Sequence, residues 1–188
     1  SLQFDLPKDQ SSIIKVFGVG GGGSNAVNHM YQQGIIGVNF VICNTDAQAL
    51  DISPIPNKIQ LGPLLTQGLG AGSNPEIGMQ ATEESVEEIR QLLSKNTKMV
   101  FVTAGMGGGT GTGASPLVAK IGRELGALVV GIITRPFEWE AKVRSRSADG
   151  GIDALRSNVD ALIVIPNQRL LSIIDNKTPF KVAFQMVD

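Results

Sequence analysis

The chain has 188 residues, of which 42% are hydrophobic and 18% charged, and this balance predicts one folded domain with a sizeable core. Sixteen basic and seventeen acidic residues leave a formal charge of −1, which excludes a broad basic surface for nucleic acid or an anionic membrane. A single cysteine and a single histidine exclude a disulfide framework and a zinc site of the usual Cys/His kind.

Hydropathy gives no sign of a membrane or export segment. The longest apolar run, residues 125–133, is far shorter than the roughly 20 residues that a membrane helix needs. Residues 1–10 lack the basic and apolar regions of a signal peptide. We therefore expect a cytoplasmic protein without direct membrane insertion.

The first half of the chain alternates between short apolar segments and glycine-containing ones. Apolar runs rich in β-branched residues predict buried strands, and apolar residues at helical spacing predict a helix. These signals predict, in chain order, a flexible polar arm (1–12), a strand (13–19), a helix (25–33), a strand (38–43) and a stretch without a clear pattern (47–74). The residues from 13 to 188 are expected to form one domain.

The second half continues this alternation after a well-marked helix start. Asn74 is an N-cap residue type, Pro75 suits the first helical position and Glu76 complements the positive end of the helix dipole. The following elements are predicted as a helix over 83–93, a strand over 99–103, a helix over 114–125, a strand over 128–134, a helix over 142–157, a strand over 161–165, a short helix over 169–174 and a helix from 179 to the end at 188. Strands that alternate with helices predict a three-layer α/β fold with a mainly parallel sheet and helices on both faces.

A first glycine-rich turn, residues 18–23, joins a predicted strand to a predicted helix. Its glycines match G-x-G-x-x-G, the spacing of dinucleotide-binding folds. Glycine lets a phosphate approach the backbone amides, and a helix N-terminus adds partial positive charge. The motif alone leaves two alternatives open: a Rossmann-type dinucleotide-binding domain of an oxidoreductase, and a tight turn without a ligand.

A second, denser glycine-rich turn spans residues 105–113, again between a strand and a helix. It contains six glycines and two threonines, Thr110 and Thr112, which is more than a turn requires. A nest of backbone amides around an anion would offset the conformational cost of these glycines, and the hydroxyls would add uncharged donors. Neither turn contains lysine, which excludes a P-loop, so phosphate charge would be met by amides, helix dipoles and a divalent cation.

The sequence of residues 107–113, Gly-Gly-Gly-Thr-Gly-Thr-Gly, resembles the signature of the tubulin superfamily. Within that superfamily the chain resembles the FtsZ family of bacterial cell-division GTPases over residues 16–28, 44–50, 68–76, 104–113, 134–137 and 165–167. The resemblance extends from about residue 13 to the end of the chain. It implies a Rossmann-like, tubulin/FtsZ-type domain that binds GTP or GDP, with Mg²⁺ accompanying GTP.

The resemblance also implies which residues contact each part of the nucleotide. Phosphate contacts fall on Gly21, Gly22, Gly23, Ser24, Asn25, Ala71, Gly72, Gly105, Gly108, Gly109, Thr110 and Gly111. Ribose contacts fall on Thr134, Pro136, Glu140 and Arg144, and guanine contacts fall on Asn167, Phe184 and Asp188. The sequence departs from the family pattern at Ser24, Trp139 and Ala141. Asp46, in the Asn-Thr-Asp segment at 44–46, is expected to act indirectly, through water or the cation.

The chemistry of the residues is consistent with two of these assignments and leaves simpler alternatives open. On the predicted C-terminal helix, Phe184 and Asp188 are four residues apart and share one face, so a ring could stack on a base while a carboxylate accepts guanine's adjacent N–H donors. Core packing would equally account for Phe184, and Glu140 with Arg144 could be an ordinary i,i+4 ion pair. His29 and Cys43 are interpreted as structural residues.

The resemblance implies a cytoskeletal protein that polymerises head to tail into filaments at the division septum. In the family, hydrolysis needs an acidic loop supplied by the next subunit. That loop would lie beyond Asp188, so no catalytic residue is assigned in this chain, and no metal ligand is assigned either. The isolated chain is expected to bind GTP or GDP with absent or feeble hydrolysis, and division proteins would bind a C-terminal tail outside these residues.

Overall fold

Apolar segments of the sequence form strands, and amphipathic segments between them form helices. A computed structural model describes residues 12–94, 96–136, 142–166 and 183–186, the last four and 142–145 by their backbone only. In chain order the elements are β1 (Ile14–Val19), α1 (Gly20–Gln32), β2 (Asn39–Asn44), α2 (Ala47–Asp51), β3 (Asn57–Gln60), α3 (Pro63–Thr66), α4 (Pro75–Glu84), α5 (Val86–Leu93), β4 (Met99–Gly105), α6 (Thr110–Glu124), β5 (Leu128–Arg135), α7 (Lys142–Arg156), β6 (Ala161–Pro166) and β7 (Ala183–Met186).

One sheet of seven strands runs through the described residues, in the order β3-β2-β1-β4-β5-β6-β7. Neighbouring strands from β3 to β6 are parallel, and β7 pairs antiparallel with β6. Parallel neighbours need long crossover connections, and the helices provide them. The prediction of a mainly parallel sheet is confirmed.

Helices cover both faces of this sheet because successive residues of each strand point to opposite faces. On one face, Val16 of β1 and Ile42 of β2 pack with Val27 of α1. On the other face, Phe17 of β1 belongs to a larger buried cluster with residues of α4 to α7, among them Val118 of α6. The predicted three-layer arrangement is therefore confirmed.

The strand order reverses direction between β1 and β4, which are hydrogen-bonded neighbours. The connection from β1 leads to α1 on one face, whereas the connection from β4 leads to α6 on the other. Such a switch point opens a crevice at the carboxyl ends of the two strands, where open α/β sheets bind ligands. Both glycine-rich turns, residues 18–23 and 105–113, begin at this crevice.

The stretch over residues 47–74, which lacks a clear sequence pattern, forms α2, β3, α3 and a loop that leads to α4. The predicted start of α4 is confirmed, because the Asn74 side chain accepts the backbone N–H of Glu76 at 3.0 Å and Pro75 is the first helical residue. Two other helices begin earlier than predicted. α1 begins at Gly20 and α6 at Thr110, because glycines carry no side chain that could contribute to an apolar period.

The helix predicted from 179 to 188 is wrong where the structure describes that segment. Residues 183–186 form β7, in which Phe184 is the register partner of Ile163. The edge of β6 presents unpaired N–H and C=O groups, and β7 satisfies them. The helical spacing of Phe184 and Asp188 therefore does not apply, and Asp188, like the helix predicted over 169–174, lies outside the described residues.

Candidate functional site

A cavity of about 430 Å³ opens at the switch point, within the usual range of roughly 300–1,000 Å³ for ligand sites. The sequence-predicted contact residues that line it are Gly21, Gly22, Asn25, Ala71, Gly105, Gly108, Gly109, Thr110, Gly111 and Thr134. They come from four separate segments that are distant in the sequence. The tertiary structure thus brings the two glycine-rich turns together at one rim of the sheet.

Other predicted contact residues lie away from the cavity or outside the residues that the structure describes. Gly23, Ser24, Gly72 and Pro136 are described but do not line the cavity. Gly23 and Ser24 are instead buried where α1 meets the sheet. Glu140, Asn167, Asp188 and the side chains of Arg144 and Phe184 lie outside the described residues.

The N-termini of α1 and α6 both face the cavity, and no side chain caps either of them. The first N–H groups of an α-helix have no partner within the helix, and together with the helix dipole they favour an anion. The two starts approach each other closely, since a Cβ on Gly20 would lie 2.8 Å from the backbone nitrogen of Gly111. The arrangement concentrates uncharged donors at one place.

The glycines of these turns serve two different purposes. A Cβ on Gly23 would run into the carbonyl oxygen of Thr103, and one on Gly113 would run into that of Pro75. A Cβ on Gly21 or Gly108 would meet nothing within 4 Å. Close packing therefore explains the first two glycines, whereas the open space beside the other two is room for a ligand.

The two threonines of the second turn also differ. The hydroxyl of Thr112 accepts the backbone N–H of Gly107 at 2.8 Å, and Thr112 does not line the cavity. Thr110 does line it, and its hydroxyl lies 2.6 Å from that of Thr45. Thr112 thus stabilises the turn through its oxygen, whereas the hydroxyl of Thr110 is the one that borders the cavity.

The loop after β2 forms a third wall of the cavity. The Asn44 side-chain oxygen accepts the N–H groups of Thr45 at 2.8 Å and Asp46 at 3.3 Å. Asp46 in turn accepts the N–H groups of Gln48 and Ala49, so it caps α2. Sequence reasoning did not assign Asn44 or Thr45 as contacts, although polar residues directly after a buried strand point to the same edge of the sheet.

The glycine-rich segment before α4 forms the fourth wall and is held against its neighbours. The N–H of Ala47 donates to the carbonyl of Gly68 at 3.1 Å, which fixes the segment to the loop after β2. Gly70 and Ser73 line the cavity beside the predicted Ala71. A Cβ on Gly109 would lie only 2.9 Å from that of Ala71, so this segment also packs on the second turn.

Charge is scarce around the cavity. Among its described lining residues, Asp46 is the one ionisable side chain, and there is no lysine or arginine. Cys43, the residue before Asn44 on β2, is fully buried and forms no disulfide. Burial, together with a smaller effect from the negative charge of Glu88, raises the pKa of the Cys43 thiol well above its usual range, so it remains an unreactive thiol.

In the described parts of the chain, no three His, Cys, Asp or Glu side chains are grouped in a way that could hold a metal ion. None of the helices described is both long enough and apolar enough to cross a membrane.

The parallel strands of the sheet, in the order β3-β2-β1-β4-β5-β6, and the glycine-lined cavity at their switch point define a Rossmann-like α/β protein. A family model described as the GTPase domain of the Tubulin/FtsZ family matches residues 13–175. The chain therefore belongs to the Tubulin/FtsZ family. The resemblance noted in the sequence is confirmed, and the alternative of an oxidoreductase domain loses its support.

Solved structures agree with this family. An empty FtsZ dimer of M. jannaschii is 43% identical, with a TM-score of 0.81 over 95% of this chain and 51% of that one. The CetZ2 protofilament of Haloferax volcanii with bound GTPγS is 24% identical, with a TM-score of 0.75 over 81% of this chain and 48% of that one, and shows a shared fold. The chain thus spans about half the length of these relatives.

Proposed function

We propose that this chain is the guanine-nucleotide-binding domain of a tubulin-like cytoskeletal GTPase. The observation that carries the proposal is the meeting of two uncapped helix starts at a switch-point cavity that has no basic side chain among its described lining residues. Backbone amides of α1 and α6 would bind the phosphates, with Gly21 and Gly108 leaving room for them. Membership in the Tubulin/FtsZ family supports GTP or GDP as the ligand.

The cavity is also suited to a magnesium ion that accompanies the triphosphate. Mg²⁺ is usually held by one or two carboxylates, substrate phosphates and waters. Asp46 supplies a carboxylate at the wall, although one of its oxygens already caps α2. The ion would supply the positive charge that a wall without basic side chains does not, and Asp46 would hold it directly or through water.

The assignments for the sugar and base follow from the family resemblance. Thr134, at the end of β5, borders the cavity and is suited to the ribose. Pro136 is buried two residues further on. Glu140 and Arg144 are proposed as additional ribose contacts, and Asn167, Phe184 and Asp188 as the guanine pocket.

Hydrolysis and assembly belong to the longer protein that the relatives represent. Because the solved relatives include an FtsZ dimer and a CetZ protofilament with bound GTPγS, we infer head-to-tail self-association with nucleotide between subunits. The next subunit would supply the acidic loop that positions the attacking water. We place this filament at the cytoplasmic division septum, with division proteins bound to a C-terminal tail, and expect feeble hydrolysis from this chain alone.

Identification of the bound small molecule tests the proposal. The chain is purified, denatured to release what it carries, and the released molecule is identified by chromatography. A nucleotide-free preparation is then titrated with fluorescent GTP, GDP and ATP analogues and with NAD. Recovery of GTP or GDP, or binding of guanine nucleotides in preference to the others, is expected. Recovery of NAD, or no binding of any nucleotide, contradicts the proposal.

A further inference from the structure

Two threonine hydroxyls from different loops meet at the cavity wall. Thr45 Oγ1, in the loop after β2, lies 2.6 Å from Thr110 Oγ1, at the first residue of α6. Thr45 is fully buried, whereas Thr110 is partly exposed to the cavity. The pair joins two segments that are 65 residues apart in sequence.

The complete burial of Thr45 favours one direction for this hydrogen bond. Each hydroxyl has one proton, and the distance alone is compatible with either direction. Among the described residues, the hydroxyl of Thr45 has Thr110 as its hydrogen-bond partner. If Thr110 donated, the proton of Thr45 would therefore be buried without an acceptor among these residues. If Thr45 donates, its own proton is satisfied and the proton of Thr110 is free to point into the cavity. The second arrangement leaves no buried donor unpaired.

The backbone around Thr45 is well placed to hold this orientation. Its N–H donates to the Asn44 side chain at 2.8 Å, and the next residue, Asp46, caps α2 through two backbone N–H groups. The loop after β2 is therefore anchored on both sides of Thr45. Thr110, in contrast, lies at an uncapped helix start and depends on a neighbour to fix its hydroxyl.

We propose that Thr45 is a positioning residue for the phosphate site. By donating to Thr110, its hydroxyl directs the Thr110 proton towards a phosphate oxygen of the bound nucleotide. The inference rests on the proposed function, since it requires a phosphate in the cavity. Thr45 borders the same cavity but is fully buried, so its effect on the ligand would pass through the partly exposed Thr110.

A double-mutant cycle tests this proposal in the whole chain. Thr45→Val, Thr110→Val and the double variant are compared with the wild type by titration with GTP and with guanosine, which lacks phosphates. We expect Thr45→Val to weaken GTP binding about tenfold, a size reasonable for one hydrogen bond to a charged group. In the Thr110→Val background the same change is expected to have little further effect. Guanosine binding is expected to stay close to that of the wild type, whereas Thr110→Val, which leaves the buried Thr45 hydroxyl without an acceptor, is expected to lower the thermal unfolding temperature of the ligand-free chain.

Matched variants separate a positioning role from a general structural one. Thr45→Ser keeps the hydroxyl and is expected to restore most of the GTP affinity. Thr97→Val removes a buried hydroxyl that has no partner among the described residues. Thr97 lies just before β4, at the end of that strand away from the cavity, so this variant should leave GTP binding unchanged. Thr45→Ala serves as a second hydroxyl-free variant if Thr45→Val does not fold.

If the wild type binds neither GTP nor GDP, the proposed function fails and this inference fails with it. If the wild type binds GTP but the hydroxyl-free variants at 45 bind equally well, the positioning role alone is overturned. Additive losses at 45 and 110, or an equal loss of guanosine and GTP binding, would overturn it as well.

Discussion

Helix starts near the switch point fall into two kinds, and their difference shows where backbone N–H groups are left available for the proposed anion. α2 and α4 are capped by their own side chains, Asp46 and Asn74, which accept backbone N–H groups at 3.0–3.2 Å. α1 and α6 follow Val19 and Gly109, and neither has a side-chain cap. A cap contributes about 1 kcal/mol, and α1 and α6 lack this stabilisation at starts that border the cavity. Water can hydrogen-bond the free N–H groups of an uncapped start, but a bound anion would stabilise them more.

The largest expected effect contrasts glycines within a single helix start. Gly23→Ala places a Cβ against the carbonyl oxygen of Thr103, and we expect a loss of about 1–3 kcal/mol in the free energy of unfolding, or a failure to fold. Gly21→Ala meets nothing within 4 Å and is expected to unfold at or above the wild-type denaturant midpoint, because alanine favours a helix. GTP binding by Gly21→Ala is nevertheless expected to fall tenfold or more, since the new methyl group enters the phosphate space.

Urea unfolding and GTP titration of both variants provide the measurements. A Gly23→Ala protein as stable as the wild type would show that the close approach to Thr103 relaxes freely. A Gly21→Ala protein with normal GTP affinity would place the phosphates away from the start of α1.

A second prediction concerns the stability that a nucleotide restores to the uncapped starts. Binding only to the folded state stabilises it by about 2.7 kcal/mol at a ligand concentration of 100 times Kd. For a domain of this size each kcal/mol raises Tm by roughly 2–4 °C, so saturating GTP is expected to raise Tm by about 5–10 °C. Differential scanning fluorimetry measures the shift, with guanosine as the matched ligand that cannot reach the helix starts. An equal shift with guanosine would show that the base, rather than the phosphates, carries the stabilisation.

The smallest effect is expected at a capped start. Asn74→Ala removes the acceptor for the N–H of Glu76, and we expect the free energy of unfolding to fall by about 1 kcal/mol. Asn74→Asp keeps an acceptor and is expected to restore most of this loss. Chemical denaturation of the ligand-free chain checks both variants. Identical midpoints for the alanine variant and the wild type would show that water replaces the Asn74 cap, which would weaken the contrast between the two kinds of start.

Local patterns predicted those parts of the fold that depend on residues close in sequence. The start at Asn74-Pro75 and the buried strands were predicted because capping chemistry and apolar runs are local properties. The extension of α1 back to Gly20 was not predicted, because glycine has no side chain that could add to a hydrophobic period. A helix begins at these glycines only because the surrounding structure supports it. β7 was missed for a similar reason: a short segment such as 183–186 takes the structure that its neighbour β6 offers.

The candidate site divides in the same way. The glycine-rich turns and their family resemblance identified most of the residues that line the cavity, because a dense glycine motif is visible in the sequence itself. The sequence could not separate Gly21, which has open space, from Gly23, which has none. It also could not distinguish Thr110 from Thr112. The hydroxyl of Thr110 pairs with Thr45 from another loop, whereas that of Thr112 accepts the N–H of Gly107 within the same turn.

By itself, then, the amino-acid sequence determined the family, the alternation of strands and helices and the presence of two glycine-rich turns, since each is encoded in contiguous residues. Only the tertiary structure decided which N–H groups stay uncapped, which glycines leave room and which hydroxyl points into the cavity. These properties arise from contacts between segments that are remote in the chain, and a hydrogen-bond partner or a free volume exists only once those segments have packed together.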